Sequence, residues 1–333
     1  MNKSNNEFKC FLRIHPTQNS LPLRILSIFL FFLVTLLLTS CNDQRPTVDI
    51  SSTADHKSSL PLVKDNRNAV LHIAISAMIS PEITREYFQD LMELIADRVG
   101  RRAIFSQRRT YAEINELVQS HEVDVALVCS GPYTSGHKKF GMELLAVPVV
   151  HGQTVYHSYI LAQRDSSIQS FEDLRGKKFA FTDPHSNTGC LVPTYMLAKR
   201  GETPDAFFTE SFFTRSHDNS IRAVADGLAD GAAVDSLIWE FMNTVDPTET
   251  SRTKIIEKSP AYGIPPIVVH PDLDDNLKQR LKAAFLSIHE EQKAIPLLHR
   301  IQVDRFTEAE DTLYDSVREM QQWLDNFNNG EKK

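Results

Sequence analysis

Cysteine is scarce in this chain, which has four cysteines in 333 residues. Cys10 and Cys41 fall in the N-terminal stretch, so only Cys129 and Cys190 remain for a folded domain. Two cysteines cannot build the disulfide framework of a small secreted scaffold, and their spacing matches no metal motif. Whether these two pair with each other is left open by the sequence.

Basic tracts are missing as well. The chain has 36 Lys and Arg against 43 Asp and Glu, a net charge of −7. Nucleic-acid-binding domains carry a basic stripe or patch, so we expect no nucleic-acid partner. No group of His, Cys, Asp and Glu residues has the spacing of a metal site, and we expect neither a metal nor a cofactor.

Low-complexity tracts and internal repeats are absent too, and glycine is limited to 12 residues. The composition that remains, 41% hydrophobic and 24% charged, is that of a globular protein. A chain of this length is long enough for two domains or one large one.

Residues 1–40 are predicted to be a secretory signal, because basic residues precede an apolar run at 25–38 and a small residue follows it. A membrane-spanning helix, the alternative, needs about 20 apolar residues. The ending Leu38-Thr39-Ser40-Cys41 resembles a bacterial lipobox, in which the cysteine is diacylated and becomes the mature N-terminus. We therefore predict a lipoprotein of the cell envelope, held by Cys41 on the periplasmic side of a bacterial membrane.

Residues 41–68 are polar and without periodicity, which predicts a flexible tether. Without residues 1–40 the chain has 32 basic and 42 acidic side chains, a net charge of −10. An anion would have to be attracted to such a protein by a local site rather than by its overall field.

A β-α-β-α-β pattern follows the tether, with strands at 70–75, 102–106 and 123–129 and helices from Pro81 and Tyr111. Short connections between apolar strands and helices are typical of an open, mostly parallel sheet covered by helices. Ligands of such sheets bind beyond the carboxyl ends of the strands.

Two strand-like runs, at 144–150 and 156–164, indicate a crossing into a second α/β domain, where 207–213 and 231–235 also read as strands. Residues 262–270, with Pro265-Pro266, return the chain to the first domain. The predicted division is 69–157 with 259–333 for the first lobe and 158–258 for the second.

The most informative stretch is a strand at 178–181 followed by Asp183-Pro184 and then Ser186, Asn187 and Thr188 at the start of a helix. Such side chains cap the unpaired N–H groups of a first helical turn. The same helix end has a partial positive charge and free donors, so it can instead hold an anion.

Three further segments accompany this stretch in the same order as in a known family: Tyr111-Ala112, Gly131-Pro132-Tyr133, and a loop at His217 followed by Ala233-Val234-Asp235. Together with the Asp-Pro-x-Ser-x-Thr-Gly segment at 183–189 they resemble the periplasmic binding proteins for phosphonate, phosphite and related phosphorus oxyanions. The similarity runs over about residues 70–290.

The resemblance implies a type II periplasmic-binding-protein fold, with two α/β lobes, a hinge of two crossing segments and a ligand closed between the lobes. It also implies a monomeric, non-enzymatic component of an ABC importer, which passes a small phosphorus oxyanion to a permease and ATPase complex; the lipid anchor is predicted separately, from Cys41. The ligand-binding residues that it implies are Tyr111, Tyr133, Ser186, Asn187, Thr188, His217 and Asp235. Asn187 departs from the hydroxyl residue that is commonest at its position.

Two of these residues raise questions of charge. His217 is expected to add a positive charge, since a bound dianion favours a protonated imidazole. Asp235 repels an anion unless it accepts a proton from the ligand or orients His217, and acceptance of a proton would select a protonated oxyanion.

Two other functions are left open by the sequence. Ser186, His217 and Asp235 have the residue types of a nucleophilic triad, although no Gly-x-Ser-x-Gly segment surrounds Ser186. A lipoprotein that binds the ligand and signals to a partner, rather than transporting it, is the second alternative.

Overall fold

The computed structural model describes residues 69–330. The predicted signal peptide, the predicted tether and Cys41 lie outside these residues. Within the described range, no helix has both the length and the apolar character that crossing a membrane requires.

The strands and helices alternate along the described chain. The strands are β1 (Val70–Ile75), β2 (Arg102–Ser106), β3 (Val125–Leu127), β4 (Glu143–Val149), β5 (Val155–Tyr156), β6 (Ser158–Gln163), β7 (Lys178–Phe181), β8 (Glu210–Phe213), β9 (Gly231–Asp235), β10 (Thr253–Lys258), β11 (Tyr262–Gly263), β12 (Ile267–Val269) and β13 (Arg305–Thr307). The helices are α1 (Pro81–Arg98), α2 (Tyr111–Gln119), α3 (Ser130–Phe140), α4 (Val192–Ala198), α5 (Pro204–Phe207), α6 (His217–Ala225), α7 (Ser236–Val245), α8 (Asp275–Ser287), α9 (Ile295–Arg300) and α10 (Asp315–Asn328).

The first lobe is built on a six-stranded sheet in the order β13-β4-β12-β3-β1-β2. β1 is parallel to β2 and β3, whereas β12 is antiparallel to both β3 and β4. The parallel arrangement predicted from the β-α-β-α-β segment is confirmed for β1, β2 and β3, but the complete six-stranded sheet is mixed. β12 belongs to the segment that returns from the second lobe, and it enters the sheet from the opposite direction.

The second lobe is built on a five-stranded sheet in the order β10-β6-β9-β7-β8. β7 is parallel to β8 and β9, and β6 and β10 complete the sheet with antiparallel pairings. The strand predicted at 207–213 is shorter than expected. Pro204 begins helix α5, which ends at Phe207, so β8 begins only at Glu210.

The two lobes are joined by two segments that pair with each other. β5 leads out of the first lobe and β11 leads back, and Tyr156 lies opposite Tyr262 in this antiparallel ribbon. Two paired strands limit the relative motion of the lobes mainly to a hinge bend, because their hydrogen bonds resist sliding.

Each lobe has its own hydrophobic core. In the first lobe the alternating apolar residues of β1 pack against α1 through Leu91 and Ile95, all nearly or fully buried. In the second, apolar clusters lie on both sides of the sheet. Cys129 is a buried free thiol in the first core, so it does not pair with Cys190.

Candidate functional site

Several helices begin at the cleft between the lobes, and their N-termini form its walls. α2 and α3 begin there from the first lobe, at Tyr111 and Ser130. From the second lobe come a π-helical turn at Asn187–Leu191, which continues into α4, and helix α6 at His217. Each N-terminus contributes a partial positive charge, although several first-turn N–H groups already have partners, among them that of Tyr111, which donates to Asp183 Oδ2 at 3.3 Å. Together they favour an anion without any basic side chain.

Ser186 caps the π-helical turn, as its sequence predicts. Its Oγ accepts the N–H of Gly189 at 3.0 Å. Gly189 is required here because a Cβ at this position would lie 2.5 Å from the Thr182 side chain and 3.0 Å from His217. The absence of a side chain at Gly189 lets the capped turn pack closely against β7 and α6. This packing brings the Ser186 hydroxyl next to the His217 ring.

His217 is fully buried, and its neighbours fix its tautomer. The backbone N–H of Asp235 donates to His217 Nδ1 at 3.0 Å, so Nδ1 holds a lone pair. The ring proton is therefore on Nε2, which lies 3.5 Å from Ser186 Oγ. Burial lowers the pKa of His217 to about 3. The expected positive charge on His217 is wrong, since a proton on Nδ1 would oppose the Asp235 N–H; the imidazole is a neutral donor.

Asp235 ends β9 and caps α7. Its Oδ1 accepts the N–H of Leu237 at 2.8 Å. Burial raises the pKa of this carboxyl to about 7, against the opposing effect of the helix N–H groups. Burial is the largest cause of the raised pKa of Tyr111 and of Tyr156, and the charges of Cys129 and then Asp235 raise both further.

These contacts do not form a nucleophilic triad. In a triad the carboxylate accepts a proton from the histidine Nδ1, and the other nitrogen accepts the proton of the serine. Here Asp235 meets Nδ1 through its backbone N–H, and Nε2 carries a proton. His217 in this tautomer has no lone pair to offer Ser186, so the arrangement suits hydrogen-bond donation and not general-base catalysis.

Tyr156, on the hinge strand β5, links the two lobes at the site. Its hydroxyl lies 2.6 Å from Ser130 Oγ in the first lobe and accepts from Asn187 Nδ2 at 3.2 Å in the second. The sequence prediction missed this residue because an aromatic residue in an apolar strand is read as core. Its position beside the crossing segment was the only signal that could have identified it.

Four buried polar atoms around this point have no hydrogen-bond partner among the described residues: Ser76 Oγ, Tyr111 Oη, Asn187 Oδ1 and Thr188 Oγ1. An unpaired buried polar group costs about 1–3 kcal/mol, so several in one place indicate a ligand-binding position. Turning the Asn187 amide over would let Tyr156 donate to Oδ1 and would direct the Nδ2 donors at a ligand. We refer to these four residues with Ser186 and His217 as the cleft cluster.

Tyr133 is the predicted site residue that the structure places elsewhere. Its hydroxyl donates to Asp311 at 2.6 Å, and its ring packs edge-on against Tyr314 at 4.6 Å. Both partners belong to the segment before α10 in the first lobe. Ser130, three residues earlier on α3, is the residue whose side chain contacts Tyr156 of the hinge. The sequence placed the start of α3 at the cleft, but which of its side chains faces the cleft depends on the orientation of the helix.

The lobes are closed on each other by backbone contacts at the same helix ends. The N–H of His217 donates to the Met78 carbonyl at 2.9 Å, and the N–H of Ser80 donates to Asp218 at 2.9 Å. Gly131 permits this closure, since a Cβ there would lie 2.5 Å from the carbonyl oxygen of His185. A ligand at the cleft cluster is therefore enclosed by both lobes.

Three possible metal ligands, His121, His270 and Asp272, meet in the first lobe although their sequence spacing predicts no site. His270 Nδ1 accepts the N–H of Asp272 at 3.0 Å and its ring stacks on Phe140. These contacts give His270 a structural role at the end of β12, and none of the three residues belongs to the cleft cluster.

A family model for the periplasmic substrate-binding protein of phosphonate ABC transporters matches residues 73–314. The phosphate-import protein PhnD of Mycolicibacterium smegmatis is 28% identical over 225 residues, which cover 64% of this chain and 69% of that protein.

Two solved structures share the fold. A binding-protein component of a phosphonate ABC transporter from Pseudomonas aeruginosa has a TM-score of 0.75 at 23% identity, covering 79% of this chain and 89% of that one. PhnD1 of Prochlorococcus marinus in complex with methylphosphonate has a TM-score of 0.71 at 18% identity, covering 77% and 98%. At these identities the likeness concerns the fold alone.

Two α/β lobes, a hinge of two paired segments and helix N-termini facing one cleft define a type II periplasmic binding protein, and the predicted fold is confirmed. The family model covers far more than half of the sequence. The chain belongs to the family of periplasmic substrate-binding proteins of phosphonate ABC transporters, as the resemblance in its sequence predicted.

Proposed function

We propose that this protein is the lipid-anchored substrate-binding component of an ABC importer and captures a phosphorus oxyanion between its lobes. The observation that carries the proposal is the set of unpartnered buried polar atoms in the cleft cluster. Ser186, Asn187, Thr188 and His217 would bind the oxyanion from the second lobe, and Tyr111 from the first. A permease and ATPase complex would receive the ligand from a monomer on the periplasmic side of the membrane.

The charge of the cleft supports a phosphorus oxyanion over an organic carboxylate or a cation. Neutral donors and helix N-termini line the centre, and a tetrahedral oxyanion offers acceptor oxygens to donors of both lobes. The buried carboxyls of Asp183 and Asp218 accept backbone N–H groups of Tyr111 and Ser80. Asp235, with its pKa near 7, makes room for one proton shared with the ligand. Phosphonate, phosphite and phosphate hold such a proton near neutral pH, whereas sulfate does not. The methylphosphonate of PhnD1 and the phosphate import of the Mycolicibacterium relative agree with this ligand class.

Thr188→Val and Tyr111→Phe are expected to weaken oxyanion binding by roughly 10- to 150-fold each, the loss of one charge-assisted hydrogen bond of about 1.5–3 kcal/mol. Among residues 69–330 the Thr188 hydroxyl has no hydrogen-bond partner and the Tyr111 hydroxyl interacts at most with Ser186, so the unfolding temperature should change little. The measurement is calorimetric titration with phosphate, phosphite, methylphosphonate, 2-aminoethylphosphonate and sulfate. Ser186→Ala and His217→Ala would be titrated in parallel.

Thr253→Val is the matched control. Thr253 begins β10, and its buried hydroxyl accepts from Trp239 Nε1 and donates to the Thr250 carbonyl in the preceding turn. It should lower the unfolding temperature and leave the affinity unchanged. Unchanged affinity in both Thr188→Val and Tyr111→Phe would refute the proposed site, and failure of the refolded natural protein to bind any phosphorus oxyanion would refute the function.

Lipid attachment at Cys41 is expected to hold the protein at the membrane. In cells that process lipoproteins, the natural protein should sediment with membranes and show the mass of a diacylated Cys41 N-terminus. Cys41→Ser should appear in the soluble fraction, and Cys10→Ser should remain with membranes because it lies in the removed leader. Membrane retention of Cys41→Ser would show that the lipid is not the anchor.

A further inference from the structure

Two carboxylates of the second lobe, Asp183 and Asp218, are fully buried where the lobes meet. Asp183 Oδ2 accepts the N–H of Tyr111, the first residue of α2, at 3.3 Å. Asp218 Oδ1 accepts the N–H of Ser80, the residue before α1, at 2.9 Å. Each of these hydrogen bonds therefore joins a carboxylate of one lobe to a helix N-terminus of the other.

The N-terminus of α1 depends on this contact, because its own residues do not cap it. Ser80 occupies the N-cap position, but its side chain makes no capping hydrogen bond. In α2, by contrast, the Glu113 side chain accepts the N–H of the N-cap residue Thr110. The equivalent N–H of α1 is the one that Asp218 accepts. Asp218 thus supplies from the other lobe what the acidic residue of a capping box supplies within one helix.

The charge of Asp218 lies between the N-termini of two helices, because Asp218 is itself in the first turn of α6. Each helix N-terminus carries about half a positive charge, so the ends of α1 and α6 repel each other when the lobes close. A carboxylate between the two ends attracts both. Asp183 has the corresponding position between α2 and the π-helical turn, where its Oδ1 also accepts the N–H of His185 at 2.8 Å.

We infer that Asp183 and Asp218 are internal counter-ions that hold the two lobes closed, in the ligand-free protein as well as in the complex. Neither residue belongs to the cleft cluster, so both are positioning residues. Each lies next to the residues that would bind the oxyanion, Ser186 and His217, and closure therefore places the counter-ions and the binding residues together. Loss of either charge should shift the equilibrium between closed and open lobes towards the open form.

The Cys129 thiol provides a readout of this equilibrium. It is fully buried at the N-cap position of α3. Burial raises the pKa of the thiol, and the backbone N–H groups of Asn187, from the second lobe, and of Gly131 oppose this rise. The two lobes are close here, since a Cβ at Gly131 would lie 3.3 Å from the Asn187 nitrogen. Opening of the lobes withdraws Asn187 from the thiol and gives a maleimide access to it.

The test is the rate at which N-ethylmaleimide alkylates Cys129 in the full-length protein, refolded without ligand in detergent and followed by mass spectrometry of the peptide that contains Cys129. Asp218→Asn keeps the shape of the side chain and is expected to react about tenfold faster than the natural protein, the size of a carboxylate–helix interaction in a partly buried site. Asp183→Asn should change in the same direction. Asp275→Asn, in the exposed first turn of α8, is the matched control and should react at the natural rate.

Ser80→Pro removes the same contact from the first lobe, because proline has no N–H and the φ of Ser80, −55°, is one that proline adopts. It should also accelerate alkylation, whereas Ser80→Ala keeps the N–H and should react at the natural rate. Thr253→Val is expected to lower stability within the second lobe without changing the rate, which separates opening of the lobes from unfolding.

Two results would overturn the inference. Natural alkylation rates in Asp218→Asn and Asp183→Asn would show that the carboxylates do not hold the lobes closed. A faster rate in Asp218→Asn but not in a folded Ser80→Pro would confine the effect to α6 and refute the contact between the lobes. The comparison needs no ligand, so its result is independent of the proposed function.

Discussion

Asn187→Asp is expected to weaken binding of a phosphorus oxyanion by about a thousandfold at pH 8. The side chain is fully buried in the cleft cluster, and its Oδ1 has no partner among the described residues. A carboxylate about 4 Å from a bound anion costs about 4 kcal/mol at an effective dielectric constant of 20. The change preserves the shape of the side chain and its contact with Tyr156, so the loss would arise from charge.

The fold should survive this substitution, because an acidic residue in the first turn of a helix is favourable. Circular dichroism and the unfolding temperature, measured on the same samples, separate lost binding from lost structure. Asn276→Asp adds the same charge to the exposed first turn of α8 and should leave the affinity unchanged. If Asn187→Asp binds as tightly as the natural protein, the anion does not lie at this helix N-terminus.

Raising the pH from 7 to 9 is expected to weaken ligand binding by the natural protein by about tenfold per pH unit, after correction for the titration of the ligand itself. Binding by Asp235→Asn should stay nearly constant over the same range. The pKa of Asp235 is about 7, and a doubly charged ligand beside it requires one proton between the two groups. Above that pKa the proton must come from solvent at each binding event. The amide of the variant needs no proton.

Stability provides an independent readout of the same group. The folded pKa of Asp235, about 7, lies above the ordinary value of 3.8. Its contribution to stability is therefore complete below about pH 4 and is lost as the pH rises to 7, a difference of about 4 kcal/mol. The natural protein should lose stability relative to Asp235→Asn across that range, and comparing the two cancels the opposing titration of the buried His217.

The control for both experiments is Asp246→Asn, an exposed carboxylate after α7 whose pKa is lowered by its bonds to Thr248. It should follow the natural protein's affinity at every pH above 7. Parallel pH profiles for the natural protein and Asp235→Asn would mean that Asp235 stays clear of the ligand and that no proton is shared.

The sequence predicted the helix at Tyr111–Gln119, the strand at Arg102–Ser106 and the Ser186 cap, because each depends on neighbours within a few residues. It did not predict the direction of β12, which follows from where the chain returns after the second lobe. Nor did it predict Tyr156 in the site, because the role of this residue depends on hydrogen bonds to Ser130 and Asn187, which only the fold brings to the hinge strand.

Local sequence by itself determined the first β-α-β-α-β elements, the family and the polar residues at the helix start. Only the tertiary structure decided the protonation and direction of these groups. His217 became a neutral Nε2 donor because β9 brings the Asp235 N–H to its Nδ1, and Tyr133 turned towards Asp311 because of how α3 is oriented. Protonation and hydrogen bonding depend on burial and on partners distant in sequence, and these are set only when the two lobes pack together.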